Sequence, residues 1–228
     1  MSNTGRHRLS LLDIATLVLT SVLCAVAVWI ALRGPTGPIP VHFGIDGQPD
    51  RWGPRSEIAA VIGLMALLSG AIAGGFGFAA AKAGDMAQKR SHRIGQFVIL
   101  VTTGIVALLI VQSSLGIGIW TQFGGARVPL SISLILVLIG AVLGRVSPNP
   151  FVGVRTPWTF KSRLAWDRSN RLGGRLLFWT GLAGLVLTPI VPTAWATTLL
   201  IGLILGIAAL TVFESWRVWR DDPDRQPF

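Results

Sequence analysis

The stretch that decides the fold covers residues 10–32 and reads SLLDIATLVLTSVLCAVAVWIAL, with one charged residue, Asp13, near its start. About 20 consecutive apolar residues are needed for an α-helix to cross the roughly 30 Å hydrocarbon core of a bilayer. Because lipid offers no hydrogen-bond partners to the backbone, such a run is expected to be helical. The stretch is too long for the apolar part of a signal peptide, so we expect it to remain as a transmembrane helix.

Five further apolar runs follow along the chain. They cover approximately residues 58–81, 94–119, 129–144, 176–191 and 195–213. The composition agrees with a membrane protein, because 51% of the 228 residues are hydrophobic and only 13% are charged. A soluble domain carries about 25% charged residues. The sequence therefore predicts an all-α, polytopic membrane helix bundle with six transmembrane helices.

The basic residues predict which ends of these helices face the cytoplasm. Sixteen of the 20 lysines and arginines lie in the amino-terminal tail, the second and fourth loops and the carboxyl-terminal tail. Because positively charged loops stay inside, both termini are predicted to be cytoplasmic, in a multi-pass protein of the cell membrane. This topology and contact with anionic lipid headgroups account for the net charge of +10, so we expect no direct binding of nucleic acid.

Residues 1–93 are expected to form an amino-terminal two-span region with a proline-rich external loop at residues 33–57. Prolines and glycines fix turns, so this loop is expected to hold a definite shape. Its candidate ligand-binding residues are His42, Asp46, Asp50 and Trp52. The histidine and the two aspartates could gather around a cation, or the aspartates could accept hydrogen bonds from turn backbone, which is the commoner arrangement. With three scattered histidines in the chain, we predict no metal site and no cofactor.

Residues 94–228 are expected to form a four-span region with a basic cytoplasmic loop at residues 145–175. Part of that loop reads NPFVGVRTPW at residues 149–158. Proline disfavours helix at the residue before it, so the backbone is predicted to be extended just ahead of Pro157. A short helix is expected to begin after Ser162, which can act as its N-cap.

Arg155 and Trp158 are the candidate binding residues of this loop. A planar guanidinium can hold a phosphate or a carboxylate through two hydrogen bonds, which the point charge of lysine cannot. Trp158 can rest among lipid headgroups and hold the arginine at a fixed depth. The alternative is a structural role, in which Arg155 interacts with the carboxyl end of a neighbouring helix.

These two loops resemble those of a known family. The segment PIPVHFGIDGQPDRWG at residues 38–53 resembles the short domain of unknown function at the front of SdpI-type bacterial immunity proteins. The segment NPFVGVRTPWT at residues 149–159, followed by Trp166, resembles the carboxyl-terminal signature of that family. We name one set of residues from this second region the inner-face motif, and it consists of Asn149, Gly153, Arg155, Thr156, Pro157, Trp158 and Trp166.

The resemblance implies a non-enzymatic protein of the bacterial cytoplasmic membrane that protects a cell against a secreted antimicrobial peptide. It further implies signal transduction in which a cytoplasmic transcriptional repressor is held at the membrane. The expected partners are therefore a toxin peptide outside, anionic lipid headgroups and a repressor inside. The alternative function is a small-solute or peptide transporter of the cytoplasmic membrane. An enzyme is not expected, because His42 is the only histidine near acidic residues and gives an incomplete catalytic set.

Overall fold

A computed structural model describes residues 9–149 and 151–227 of the chain. Helices α1 (Leu11–Arg33), α2 (Arg55–Lys82), α3 (Met86–Leu115), α4 (Arg127–Leu143), α5 (Pro157–Lys161), α6 (Arg163–Leu187) and α7 (Thr193–Asp221) follow one another. A hairpin of β1 (Ile39–Phe43) and β2 (Pro49–Gly53) joins α1 to α2, and a 3₁₀ helix (Ile119–Ala126) precedes α4. The predicted all-α helix bundle is confirmed, with the hairpin as an addition.

Five helices in the described part of the chain are long and apolar enough to cross a membrane. They are Leu11–Arg33, Arg55–Lys82, Met86–Leu115, Gln122–Leu143 and Thr193–Asp221. The chain is therefore a multi-pass membrane protein, as predicted. Helix α6 is also 25 residues long, but four arginines lie among its first 13 residues. The count of six spans and the cytoplasmic position of the termini stay predictions.

Two helices extend beyond the apolar runs that identified them. Helix α3 begins at Met86, where the Asp85 side chain accepts a hydrogen bond from the Gln88 amide at 2.8 Å and caps the helix. Helix α6 begins directly after Ser162 and continues without a break into the fifth apolar run. The expected short helix and the expected span of residues 176–191 are thus one helix. A helix does not end where its apolar run meets charged residues, because charged residues also form the backbone hydrogen bonds of a helix.

The helices form two groups, with α1 packing on α2 and α2 on α3, while α6 packs on both α4 and α7. In the first group, a core cluster that includes Leu23, Ile30, Ile58 and Ile62 lies towards the hairpin end of α1 and α2. Ile39 of β1 belongs to the same cluster and is 5% exposed. Burial of an aliphatic side chain contributes about 1.5–3 kcal/mol, so the hairpin is anchored to the bundle.

Candidate functional site

The loop at residues 33–57 forms an antiparallel hairpin whose tip is a tight turn. The Gly44 amide donates to the Gln48 carbonyl at 2.8 Å, and the Gly47 amide donates to the Gly44 carbonyl at 2.9 Å. Gly47 has φ of 75°, a left-handed conformation that glycine adopts without steric cost. At the base of the hairpin, Arg51 pairs with Glu57 at 2.6 Å. These contacts give the loop a definite form.

The four candidate residues of this loop lie on the exposed part of the hairpin. His42 Nδ1 lies 2.5 Å from Asp50 Oδ1, and the two side chains are 63% and 51% exposed. Asp46 instead accepts a hydrogen bond from the Gln48 amide at 3.0 Å, the turn role considered from the sequence. Trp52 is 57% exposed. Over the described residues, no group of three or more histidine, cysteine or acidic side chains is arranged to hold a metal ion.

The tip of the hairpin contacts the other half of the bundle. Gly47 is buried, and a Cβ atom added to it would lie 2.6 Å from the carbonyl oxygen of Gly125 in the 3₁₀ helix. A Cβ atom added to Gly125 would in turn lie 3.3 Å from Oγ1 of Thr193, the first residue of α7. Beside this contact, the Arg127 guanidinium lies 5.1 Å from the centre of the Phe43 ring. The hairpin is thus held against the ends of α4 and α7.

Asn149 and Gly153 of the inner-face motif shape the backbone of the fourth loop. The Asn149 Oδ1 atom accepts hydrogen bonds from the Phe151 and Val152 amides, both at 2.8 Å. Gly153 has φ of 128°, and a Cβ atom there would lie 2.7 Å from Oδ1 of Asn170. Both residues therefore fold the loop, and any side chain at position 153 would be strained.

Trp166 and Asn170 fix this loop to α6. The Trp166 side chain is fully buried, and its Nε1 donates to the Val146 carbonyl at 2.8 Å. Asn170 accepts from the Val154 amide at 2.7 Å and donates to the Trp166 carbonyl at 2.9 Å. The sequence reading had not assigned a role to Asn170. Its position one helical turn after Trp166 was the available signal, because residues four apart share a helix face.

Thr156 and Pro157 connect the loop to α7. Thr156 has ψ of 162°, which confirms the extended backbone predicted ahead of Pro157, and it caps α5 through a hydrogen bond from the Thr159 amide. The Oγ1 atom of Thr156 also lies 2.9 Å from Oγ of Ser215, which is near the carboxyl end of α7. Both hydroxyls are buried. Ser215 was likewise not identified from the sequence.

The carboxyl-terminal tail contacts the end of α5. Ser162 caps α6, as predicted, by accepting from the Ala165 amide at 2.9 Å, and its own hydroxyl donates to Asp222. Beyond that point, the Gln226 amide donates to the Lys161 carbonyl at 2.8 Å. The fourth loop is therefore attached by hydrogen bonds to α6, α7 and the tail.

Arg155 and Trp158 are the two candidate binding residues of the motif, and Pro157 between them is also exposed. Arg155 is exposed, and none of the ion pairs or hydrogen bonds found among the described residues involves its side chain. Trp158 is partly exposed. The other five motif residues build the support for these two, so Arg155 is presented by ordered backbone and is open to a ligand.

A second polar site lies between α1, α2 and α3, near the first turn of α1. The Arg93 guanidinium pairs with Asp13 at 2.6 Å, and Gln96, which is fully buried, donates to Asp13 at 3.1 Å and to Thr16 at 3.0 Å. A groove of about 630 Å³ between the three helices reaches these side chains. The association of these side chains was not predicted from the sequence.

Comparison with known families matches both loops. Residues 145–214 match the model of the SdpI/YfhL protein family, and residues 17–67 match a domain of unknown function, DUF1648. The resemblance stated from the sequence is confirmed in both regions. The DUF1648 region contains the hairpin, and the SdpI/YfhL region contains the fourth loop, α6 and most of α7. Searches of curated proteins and of solved structures found no match to this chain.

Proposed function

We propose that this membrane protein, with its DUF1648 and SdpI/YfhL regions, is an immunity receptor that protects the cell against a secreted antimicrobial peptide. The observation that carries the proposal is the contact of the hairpin tip with the second half of the bundle. Gly47 lies in the DUF1648 region and packs on Gly125, and Gly125 lies beside Thr193 of the SdpI/YfhL region. A peptide bound to the hairpin would therefore act on both regions.

The exposed face of the hairpin suits an amphipathic peptide. Trp52 offers a large, rigid apolar surface, and such aromatic side chains dominate the energetics of many peptide contacts. The His42 and Asp50 pair lies on the same two strands and offers a carboxylate that can bind a basic residue of the peptide. We assign Asp46 to the turn that holds these residues in place.

Helix α7 provides a route by which peptide binding reaches the predicted cytoplasmic face. It begins at Thr193, beside the hairpin tip, and contains Ser215, which is hydrogen-bonded to Thr156 of the inner-face motif. A small movement of the hairpin would thus be passed along a single rigid helix to the support of Arg155. In this proposal Arg155 and Trp158 hold an acidic surface of a cytoplasmic repressor, and the movement changes that contact. No enzymatic step is part of the proposed function.

The proposal is tested by deletion of the gene and challenge with a panel of membrane-active peptides. The deletion strain is complemented with the wild type, with Trp52→Ala and with Trp195→Ala. Trp195 is a matched control, because it is 66% exposed near the start of α7 but is not part of the hairpin. We expect protection by the wild type and by Trp195→Ala, and loss of protection by Trp52→Ala at equal membrane abundance. Equal protection by both variants would show that the hairpin does not receive the peptide.

The groove between α1, α2 and α3 favours a transporter as the second candidate. Ionisable side chains within membrane spans often mark a solute or proton pathway, and Asp13 and Arg93 reach this groove. The two functions are separated by Gln96→Leu, which removes polar contacts in the groove without changing the hairpin. A transporter would lose solute flux in vesicles, whereas an immunity receptor would keep peptide protection provided that the variant remains folded.

A further inference from the structure

A groove with four arginines at its edge lies between α4 and α6. We name it the arginine groove. It has a volume of about 750 Å³, and Arg145 of the α4 end lies with Arg168, Arg171 and Arg175 of α6 along its lining. All four side chains are exposed. The inner-face motif is not part of this lining, so the arginine groove is a separate feature of the molecule.

The groove exists because the two helices meet at glycines. A Cβ atom added to Gly140 would lie 2.7 Å from the Gly174 carbonyl oxygen, and one added to Gly144 would lie 3.3 Å from Cα of Arg171. Helix backbones approach this closely where side chains are absent. The long side chains on either side then stand above a shallow floor of backbone and small residues.

The positive charge of the groove is not neutralised within the described part of the protein. No ion pair there includes Arg145, Arg168, Arg171 or Arg175. The carboxylate in the lining belongs to Glu214 of α7, which pairs with Arg217 at 2.8 Å. Four like charges around one space repel one another, and an anion that neutralises them is favoured.

The lining changes from charged to apolar along the helix axis. Arg168, Arg171 and Arg175 follow the spacing of one helix face, and Phe178 and Trp179 continue that face deeper into the apolar run. At a rise of about 1.5 Å per residue, Arg168 and Trp179 are about 17 Å apart along the axis. Trp179 is 63% exposed on the surface of the helix. A ligand that fits this lining has an anionic end and an apolar end.

We propose that the arginine groove binds one anionic phospholipid, with the phosphate among the arginines and an acyl chain along Phe178 and Trp179. Guanidinium groups bind phosphate oxygens in pairs, which places the headgroup. The apolar end opens on the surface that membrane lipid covers, so a lipid reaches it from within its own leaflet. An acidic protein surface or a free phosphate would leave the apolar end of the groove empty. The proposal requires only that the protein is inserted in a membrane, and it stands independently of peptide immunity.

The test uses Trp179 as a built-in reporter of lipid contact. The full-length protein is reconstituted in phosphatidylcholine vesicles that contain a small, equal fraction of either brominated phosphatidylglycerol or brominated phosphatidylcholine. Bromine quenches tryptophan fluorescence on contact, and subtraction of a Trp179→Phe sample isolates the signal of this one side chain. We expect several-fold stronger quenching of Trp179 by the anionic lipid than by the neutral lipid. Equal quenching by the two lipids in the wild type would overturn the proposal without any arginine variant.

Two arginine variants locate the effect. Arg171→Gln with Arg175→Gln should remove the preference for the anionic lipid. Arg163→Gln is the matched control, because it removes one exposed arginine of the same helix that does not line the groove, and it should keep the preference. Loss of the preference in Arg163→Gln to the same extent would assign it to general surface charge. If inorganic phosphate removed the preference for the anionic lipid at concentrations too low to screen charge, the groove would be a site for a soluble anion. Either result would refute the lipid site.

Discussion

A methyl group added at the hairpin tip should detach the hairpin from the rest of the bundle. In Gly47→Ala, alanine would have to adopt φ of 75°, which costs a non-glycine residue about 1–2 kcal/mol. Its Cβ would also lie 2.6 Å from the Gly125 carbonyl oxygen, so the tip must move away from the 3₁₀ helix. Strained positions of this kind cost about 1–3 kcal/mol in all. We therefore expect a loss of about 2 kcal/mol in the free energy of unfolding.

Cys24 supplies the assay for this loss. It is the one cysteine in the chain and packs against the core cluster that anchors the hairpin through Ile39. A dye that becomes fluorescent on reaction with a thiol therefore reports thermal opening of that core in detergent. For a chain of this size a loss of about 2 kcal/mol corresponds to a Tm lower by about 4–8 °C.

The control is Gly37→Ala, in the same loop. A Cβ atom there would have no neighbour within 4 Å, and the φ angle of Gly37 is not positive. This variant should melt with the wild type. A Gly47→Ala protein that melts at the temperature of Gly37→Ala would show that the tip does not rest on Gly125, and the argument for coupling between the two halves would fail with it.

Three further predictions concern the fourth loop and the topology. Asn170→Ala should lower the free energy of unfolding by about 1–3 kcal/mol, because it leaves the Val154 amide without its acceptor. Arg163→Ala, on the exposed surface, should change the free energy of unfolding little in the same thermal assay. Arg155→Lys should abolish protection or signalling at unchanged abundance and Tm. Lysine keeps the positive charge but cannot form the two parallel hydrogen bonds of a guanidinium. Retained activity would show that only the charge of Arg155 matters. In a cysteine-free background, a cysteine placed at the exposed Gln48 should be labelled from outside the cell. A cysteine placed at the exposed Phe160 should be labelled only after the membrane is permeabilised. Labelling of both positions from one side would contradict the topology.

The sequence predicted the helices well because their signal is local. Each apolar run carries its own evidence for spanning a membrane, and the ends at Lys82 and Leu143 lie close to those expected. The hairpin was not recognised, although Ile39, Val41 and Phe43 alternate with more polar or exposed positions as a strand requires. The alternation covers only five residues, one of which is Pro40, and proline favours an interpretation as loop.

The roles of individual site residues could not be read from the motif because they depend on distant partners. Thr156 is turned inward by Ser215, and Gly153 is closely packed by Asn170. Arg155, between them, has no such partner among the described residues and faces outward. The arginine groove was equally hidden, because it requires that α4 and α6 be neighbours. Spacing along the chain shows which residues share a helix face, but it does not show which other helix packs against that face.

The ion pair of Asp13 with Arg93 has a consequence for the order in which the protein is made. Helix α1 leaves the ribosome long before α3, so Asp13 enters the bilayer region without its partner, and a carboxylate at the centre of a span would cost about 2.5–3.5 kcal/mol. Because Asp13 lies in the first turn of α1, its carboxylate can stay at the headgroup level until α3 is inserted and Arg93 and Gln96 bind it. The smallest insertion unit that satisfies its own charges therefore has three helices. A nascent chain that stalls before α3 would present an unpaired acid to the quality-control proteases of the membrane.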